Sequence, residues 1–557
     1  MTDHVYDRTL AIVGLGPRGL GALEALAADA IDRKFSVKVD IFDATNALGA
    51  GPNFHPDESA LCLLNIPVRV LDIDPPRIVR DEIAPFAKWS SANYNPDDFP
   101  PRCDLGAYLM ARFKALCDVT KAFFDTSHSD VNVSAVRQND NGWWVSTADK
   151  QLGPYDEVLL CPGQPATEPD PQLQRWMDHA QKNALNLVSA YPAKSLLSAA
   201  HDWRDKQVAV RGLGLSTHDV LRILTLGLSG RFEDGSYVRS GNEPRKILPF
   251  SRDGLPPAPK PATAEIDALY DPLPKEVTLF ETSLAEAVTQ PPKQVLKTVC
   301  DALIMPTARI LASLGVPHSL ATIERWLAME REDPGTQDSQ ETSVILRTTI
   351  EMAHNRVPPS VGYVVGQLWR KLQNELRSGV NSAELSSDAA TALVGFDEAL
   401  KRYSYGPPVS ASEQLLILID DGLVGLQAVD DPDIMLDPDG WRLVEGDDAL
   451  STQVMVDAVL PSPDLEQIID PLIRCAVEGG LITPVDDGFG AQTLPDGTLV
   501  NRNGDSNNGL CLLGRLSLGS VIAADSLHDC FGASTHRWAK GFVARGLAAR
   551  PSQSQNE

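Results

Sequence analysis

The chain has 557 residues, a formal net charge of −26 and 43% hydrophobic residues. At roughly 150 residues per domain, this length favours about three or four domain-sized units of an ordinary globular protein. The acidic surface disfavours nucleic-acid and membrane-surface partners, because both present phosphate groups that it would repel. The N-terminus has no basic segment followed by an apolar one, and no apolar run approaches the ~20 residues that span a bilayer, so we expect a cytoplasmic protein.

The first fifty residues predict a strand, a glycine turn, a helix and a second strand. Thr9–Val13 is a short apolar run, and the segment LGALEALAADA after Gly19 is a strong helix former. Ser36–Phe42 alternates between apolar and polar residues and is rich in β-branched ones, which indicates a strand. The turn between the first strand and the helix reads GLGPRG. This order is typical of a dinucleotide-binding unit.

The spacing of the glycines suits the pyrophosphate of a dinucleotide. The first glycine permits the tight turn, the second leaves room for the phosphate, and the third lets the helix pack on the strand. The helix N-terminus adds free N–H groups and a partial positive charge. Asp43, at the end of the second strand, can accept hydrogen bonds from a ribose hydroxyl. The residues predicted to bind this cofactor are Gly14, Gly16, Pro17, Arg18, Gly19 and Asp43.

The segment from Gly49 to Arg102 is rich in proline, aspartate and asparagine and predicts long loops, which are often functional in a compact domain. Leu105–Cys117 is expected to be helical, and Val131–Ser146 to form a hairpin. Glu157–Leu160 reads as a buried strand that ends in Cys161-Pro162-Gly163. Gly163 would let the backbone approach the cofactor.

A second unit repeats the same logic. Gln207–Val210 predicts a strand, followed by Gly212 and Gly214, with Thr217 in the place of a third glycine. Lys246–Phe250 would be its second strand, and Arg252 follows it. A cation there can meet the extra phosphate of NADP, whereas an acid would favour NAD; alternatively, Arg252 is an ordinary surface cation. The residues predicted to bind NADPH are Gly212, Gly214, Ser216, Thr217 and Arg252.

The later part of the chain is predicted to be a helical insertion followed by a return to strands. Residues 265–400 look mainly helical, with an apolar spacing of four at Val364, Leu368, Leu372 and Leu376. Leu415–Ile419, Val454–Leu460 and Leu510–Leu513 favour strands. The tail PSQSQNE is predicted to be disordered.

We therefore predict an α/β protein with two Rossmann-like dinucleotide-binding units and a mainly helical insertion. The predicted division is a first dinucleotide-binding domain over 1–205, the first part of the NADPH unit over 206–262, the helical insertion over 263–404, a return to the NADPH unit over 405–504, and a return to the first domain with a C-terminal helix over 505–557. The eight cysteines include no Cys-x-x-Cys pair and no cluster with histidine at zinc spacing, so no metal site is expected.

Several segments resemble one flavoprotein family. They are GLGPRGLGALEAL, LGAGPNFHPDESALCLLNIP, FPPRCDLGAYL, VLLCPGQP and FSRDGLPP, over about the first 260 residues, with a weaker return in YGPPVSASEQLLILIDDGLV and LLGRLSLGS. They are similar to the FAD/NAD(P)-binding protein family, whose better understood relatives are flavin-dependent N-hydroxylating monooxygenases and urate hydroxylase-like enzymes. At the end of the Glu157–Leu160 strand, Cys161 and Pro162 depart from the usual Ala-Thr, while Gly163 is retained.

The resemblance implies that FAD occupies the first site, with Gly51 and Asn65 beside the flavin and Arg102 holding the flavin loop or the substrate. We use the name flavin loop for residues 49–65. His55, in the same loop, is a candidate proton donor because its ordinary pKa lies near neutrality. His55, Asn65 and Arg102 are thus the catalytic candidates; alternatively, Asn65 caps a turn, Arg102 pairs with an acid, and His55 has no role.

Three functional hypotheses follow. The first, implied by the resemblance, is an FAD-dependent monooxygenase that uses NADPH and molecular oxygen to hydroxylate a small nucleophilic substrate such as an amine or amino acid. The second is an NAD(P)H-dependent flavin oxidoreductase that passes electrons to another acceptor. The third is a non-catalytic flavoprotein whose helical insertion binds a partner. A homo-oligomer is compatible with each of them.

Overall fold

The computed structural model describes residues 6–383 and 385–549, so the tail PSQSQNE lies outside the described residues. In chain order the strands are β1 (Arg8–Val13), β2 (Val37–Phe42), β3 (Phe124–Ser129), β4 (Ala135–Asn139), β5 (Gly142–Ser146), β6 (Gln151–Tyr155), β7 (Glu157–Leu160), β8 (Asn186–Ser189), β9 (Gln207–Arg211), β10 (Arg231–Glu233), β11 (Ser236–Val238), β12 (Lys246–Phe250), β13 (Asp433–Asp437), β14 (Gly440–Glu445), β15 (Asp448–Thr452), β16 (Val454–Asp457), β17 (Thr498–Val500) and β18 (Ser506–Leu512).

The helices, in chain order, are α1 (Pro17–Asp32), α2 (Phe86–Trp89), α3 (Arg102–Thr120), α4 (Pro171–Asn183), α5 (Ala193–Ala200), α6 (Leu215–Thr225), α7 (Ala264–Asp267), α8 (Pro274–Ala287), α9 (Pro292–Ser313), α10 (Leu320–Glu332), α11 (Thr342–Ala353), α12 (Val361–Lys371), α13 (Gln373–Val380), α14 (Ser387–Ser404), α15 (Val409–Asp420), α16 (Pro471–Glu478), α17 (Leu527–Cys530) and α18 (Ala533–Ala549). Among the described residues, no helix is both long and apolar enough to cross a membrane.

The first sheet has six strands in the order β17-β18-β7-β1-β2-β3. All neighbours are parallel except β17 and β18. The central strands β1 and β7 are buried almost throughout, which explains their continuous apolar runs: helices and strands cover both faces of such a sheet. The antiparallel sheet β4-β5-β6 packs against it through Trp143 and Tyr155.

The second sheet has four parallel strands in the order β12-β9-β16-β8. It repeats the arrangement of the first unit, because α6 follows β9 as α1 follows β1. The predicted strands Gln207–Val210, Lys246–Phe250 and Val454–Leu460 correspond to β9, β12 and β16. The α/β class with two dinucleotide-binding units is therefore confirmed.

Some elements belong to a different unit from the one that the predicted boundaries give them. Strand β8 lies before residue 205 but pairs with β16 in the second sheet. Strand β17 and helix α16 lie before residue 505 but belong with the first sheet and its core. Neither β8 nor β17 has more than four residues, so their sequences alone do not indicate which sheet they join.

The helical insertion runs from α7 to α15. The four residues predicted to share a helical face, Val364, Leu368, Leu372 and Leu376, are all buried in one core cluster. The predicted strand over Leu415–Ile419 is wrong, because these residues lie in α15. Ala411, Leu415 and Leu418 are buried there at helical spacing, and a short apolar run is compatible with either structure until its packing partner is known.

Candidate functional site

The first glycine turn joins β1 to α1. Gly14 has φ of +88°, and a Cβ there would lie 2.3 Å from the carbonyl oxygen of Cys161. A Cβ on Gly19 would lie 2.5 Å from the carbonyl oxygen of Gly14. Both contacts are to backbone atoms that cannot move aside, so both positions require glycine in the folded chain. The turn is thereby fixed before any ligand enters it.

Gly16 caps the N-terminus of α1 without a side chain, and Pro17 occupies the first turn of the helix. Gly51 of the flavin loop, with φ of +64°, faces Gly16: a Cβ on Gly51 would lie 3.2 Å from the Gly16 Cα. At Gly163, with φ of +67°, a Cβ would meet no heavy atom within 4 Å. Bare backbone N–H groups at a helix N-terminus, flanked by glycines from two other segments, fit a dinucleotide pyrophosphate.

Two charged residues of this turn are already engaged by the protein. Asp43 is buried, and it accepts a hydrogen bond from the backbone N–H of Leu15 at 2.6 Å and further bonds from the backbone and hydroxyl of Thr45. Arg18 is also buried and pairs with Asp529 at 2.6 Å, and it donates to the carbonyl oxygen of Ala524. Asp43 thus stabilises the glycine turn through hydrogen bonds, and Arg18 connects this turn to the segment after β18.

The second glycine turn joins β9 to α6. Gly212 has φ of +111°, and Gly214 caps α6 without a side chain. The Thr217 hydroxyl donates to the carbonyl oxygen of Gly212 at 2.7 Å, so it closes the turn from within. Ser216 is half-buried in the first turn of the helix. A Cβ on Gly214 would meet no heavy atom within 4 Å, which leaves the helix N-terminus open to a phosphate.

Arg252 lies just beyond the carboxyl end of β12 and is exposed. Among the described residues, its side chain forms no ion pair and no hydrogen bond. The neighbouring cation Arg211 differs, since it pairs with Asp170 at 2.5 Å and with Asp457 at 3.4 Å. Arg252 is therefore the cation that remains available at the strand end where a nucleotide ribose would lie.

The three catalytic candidates lie on or beside the flavin loop but in different surroundings. Asn65 is half-buried, and its amide makes no hydrogen bond to another described residue. His55 Nδ1 accepts the backbone N–H of Asp57 at 3.1 Å within a local turn. Arg102, at the start of α3, forms an ion pair with Asp219 of α6. The structure thus leaves the Asn65 side chain available, ties His55 to its own loop, and connects Arg102 to the second unit.

Tyr191 and Asp219 contact the candidate residue Arg102, and the sequence prediction included neither of them. The Tyr191 hydroxyl donates to Asp219, and Arg102 Nη1 lies 3.2 Å from the same hydroxyl. The available signal was an acid on an apolar helix: Asp219 precedes Val220 and is buried with it. A buried carboxylate requires a partner, but α6 alone does not indicate that the partner comes from α3.

Two buried thiols lie close to these turns. Burial raises the pKa of Cys161, beside Gly14, to about 12. Burial, with Asp219 as the next cause, likewise raises the pKa of Cys62 in the flavin loop to about 12. Both are therefore protonated thiols at neutral pH, unsuited to nucleophilic chemistry.

Comparison with known proteins agrees with this geometry. The FAD-NAD(P)-binding family model matches residues 11–165, which include the first glycine turn and the whole flavin loop. Nitrosuccinic acid synthase of Aspergillus oryzae is 24% identical over 556 residues, covering 88% of this chain and 83% of that protein. The nitrosuccinate-forming L-aspartate N-monooxygenase of Streptomyces davaonensis is 25% identical over 562 residues, covering 85% of each chain.

Among solved structures, FAD-bound DfoA, a cadaverine monooxygenase of Erwinia amylovora, is 13% identical with a TM-score of 0.46, covering 100% of this chain and 98% of that chain. The family match and the two glycine turns support FAD and a nicotinamide dinucleotide as the cofactors. The chain is therefore an FAD- and NAD(P)-binding flavoprotein, an oxidoreductase similar over most of its length to amino-acid N-monooxygenases.

Proposed function

We propose that this flavoprotein is an amino-acid N-monooxygenase that oxidises the amine of L-aspartate to give nitrosuccinate, with NADPH and molecular oxygen as co-substrates. The proposal rests on one observation: the two relatives are named for the same product. One is fungal and one bacterial, and each aligns over more than four fifths of both chains. A cytoplasmic location, where NADPH is supplied, belongs to the same proposal.

In this reaction the protein binds the cofactors and the substrate, orients them, and excludes water from the site. The first glycine turn and Gly51 would hold the FAD pyrophosphate, and Gly214 with the N-terminus of α6 would hold that of NADPH. Bound FAD, once NADPH has reduced the flavin, supplies the activation of oxygen. Asn65 is our candidate for a direct contact with the flavin or the substrate, because its side-chain amide makes no hydrogen bond to another described residue.

A dicarboxylate substrate needs basic partners in a chain of charge −26, and two buried basic side chains are Lys260, just before the helical insertion, and Arg377 within it. Lys260 donates to the carbonyl oxygen of Gly406 at 2.6 Å, and Arg377 donates to the Asn374 side chain at 2.6 Å. Neither has a carboxylate partner within 4 Å among the described residues. Burial lowers the pKa of Lys260 well below its usual value, so a bound carboxylate would stabilise its charged form.

Arg377 lies close to the point where the insertion meets the first unit, because its carbonyl oxygen accepts the backbone N–H of Asn381. Asn381, which follows α13, exchanges hydrogen bonds with the backbone of Ile522, in the segment after β18. Burial lowers the pKa of His528 in the same segment, which favours its neutral form. We propose this junction as the site for the carboxylates of aspartate.

The test is a substrate panel with the FAD-loaded protein. We expect L-aspartate to accelerate NADPH oxidation at least tenfold and to give nitrosuccinate, identified by mass. L-Asparagine lacks the side-chain carboxylate, succinate lacks the amine, and L-ornithine replaces the acid with a second amine; each should give less than a tenth of that rate. If ornithine is preferred, or if NADPH oxidation gives only hydrogen peroxide with every amino acid, aspartate is not the substrate.

A further inference from the structure

The flavin loop is anchored in the core of the other unit. Cys62 is completely buried, and it packs in the hydrophobic cluster that contains Val208, Val220 and Val456 of the second sheet and α6. Leu61 is partly buried against the same cluster. The loop lies between β2 and α3 of the first unit in the chain, yet Leu61 and Cys62 pack in the core of the second unit.

Polar contacts on both sides of Cys62 fix the loop to the second unit. Arg222 of α6 donates to the carbonyl oxygen of Leu61 at 3.0 Å. The backbone N–H of Ala193, at the start of α5, donates to Glu58 at 3.1 Å. Each of these bonds joins the flavin loop to an element that packs on the second sheet.

The centre of this contact is the buried group formed by Arg102, Tyr191 and Asp219. The backbone N–H of Arg102 donates to the carbonyl oxygen of Cys62 at 2.9 Å, and its Nε donates to that of Leu63 at 3.2 Å. The guanidinium then pairs with Asp219, whose side chain is only 8% exposed, and Tyr191 bridges the two. A buried ion pair of this kind contributes little net stability, but it fixes one geometry, because any displacement leaves a charge unpaired.

Asp219 stands on the helix that carries the second phosphate site. Its position is one helical turn after Gly214 and Leu215, where α6 begins. A rigid connection from this helix to the flavin loop would set the distance between a nicotinamide and a flavin held at the two glycine turns. The separate units could each bind their dinucleotide without this connection.

We propose that Asp219 is a positioning residue: with Tyr191 and Arg102 it locks α6 against the flavin loop and so sets the approach of NADPH to the flavin. The proposal rests on FAD and NADPH binding and not on the identity of the amino-acid substrate. In the step concerned, NADPH transfers two electrons and one proton to FAD, which gives reduced flavin and NADP⁺.

The test compares Asp219→Asn and Tyr191→Phe with the parent, all loaded with FAD. Reduction by saturating NADPH is followed anaerobically by loss of flavin absorbance, and the Kd of NADP⁺ is measured separately. We expect the limiting rate to fall at least tenfold in Asp219→Asn and about threefold in Tyr191→Phe, with the Kd of NADP⁺ within twofold of the parent. Deuterium uptake of residues 58–64, measured without NADPH, should increase in both variants.

Glu276→Gln is the matched control, because Glu276 is buried and pairs with Arg309 at 2.7 Å entirely within the helical insertion. It should lower the thermal midpoint without changing the limiting rate or the deuterium uptake of the flavin loop. If Asp219→Asn does not fold, Tyr191→Phe decides, since it retains the ion pair. Parental reduction rates in the folded variants, or slower reduction explained by a raised Kd of NADP⁺, would overturn the proposal. Because no amino acid is present, neither result depends on the substrate panel.

Discussion

Arg252 and Arg211 show how a residue's partners decide whether its charge is available to a ligand. Both lie at the carboxyl end of the second sheet, but Arg211 is held by Asp170 and Asp457, and Arg252 is exposed without a described partner. Arg18 and Asp43 of the first turn are likewise engaged by Asp529, Leu15 and Thr45. Residue type and position in a motif therefore do not settle which charge meets the cofactor.

We expect Arg252→Ala to weaken NADPH selectively. A charge-assisted contact with the extra phosphate contributes about 1.5–3 kcal/mol, so the KM for NADPH should rise roughly 10- to 150-fold. The KM for NADH, which lacks that phosphate, should change less than twofold. Steady-state NADPH and NADH oxidation measure both constants.

Arg245 provides the matched control for this substitution. It is also exposed, but it precedes the amino end of the same strand β12. Arg245→Ala should leave both KM values unchanged, since dinucleotides bind at the carboxyl ends of parallel strands. An unchanged preference in Arg252→Ala would remove Arg252 from the site.

At the scale of the element, helix α6 combines an open N-terminus with a heavily buried body. Residues Thr217–Thr225, apart from Arg222, are buried, whereas Gly214 is exposed and faces empty space. The same helix therefore packs along its length and leaves its N-terminus open to a ligand. Helix α1 is built the same way, with a bare Gly16 cap and a buried body.

Gly214→Ala separates these two roles. The added methyl meets nothing in the protein, and φ of Gly214 is −84°, which alanine adopts readily; the unfolding free energy should fall by at most about 1 kcal/mol, the cost of a poorer cap. The methyl would occupy the approach of the phosphate, so we expect the Kd of NADP⁺ to rise at least tenfold by calorimetry.

The control for this change is Gly395→Ala, inside α14, where a Cβ also meets no heavy atom within 4 Å. It should raise the unfolding free energy by up to about 1 kcal/mol, because alanine is the better helix former, with no change in NADP⁺ binding. Equal NADP⁺ affinity in Gly214→Ala and the parent would place the phosphate elsewhere.

For the whole molecule, the first unit is closed by the last part of the chain. Glu157 of β7 is completely buried and accepts hydrogen bonds from Trp538 at 3.0 Å and from Arg545 at 2.9 Å, both on α18. Arg8, at the start of β1, approaches the same carboxylate at 3.3 Å. One side chain thus joins β1 and β7 to α18, which follows the second unit and the insertion in the chain.

Glu157→Gln should therefore destabilise the protein strongly. Removing one partner from a buried ion pair leaves uncompensated cations, and we expect a loss of about 3 kcal/mol in the free energy of unfolding by urea, followed by flavin fluorescence. Glu233→Gln, in the exposed pair with Arg231, should cost less than about 1 kcal/mol. A comparable loss in the two variants would contradict this role for Glu157.

The local sequence by itself determined both glycine turns, the strands that precede them and the α/β class. These features depend on neighbouring residues: glycines that the backbone geometry requires, and continuous apolar runs for buried parallel strands. The four-residue spacing in α12 and α13 was readable for the same reason. The loop character of the flavin loop also followed from its own composition.

Only the tertiary structure decided how distant segments meet. Leu415–Ile419 is helical because Leu415 and Leu418 pack in the hydrophobic core of the second unit. The sheets that the short strands β8 and β17 join are likewise visible only in the structure. It also paired Arg102 with Asp219, 117 residues apart. The physical reason is the same in each case: a short apolar run or a buried charge specifies that it needs a partner, and the partner's identity depends on the fold of the whole chain.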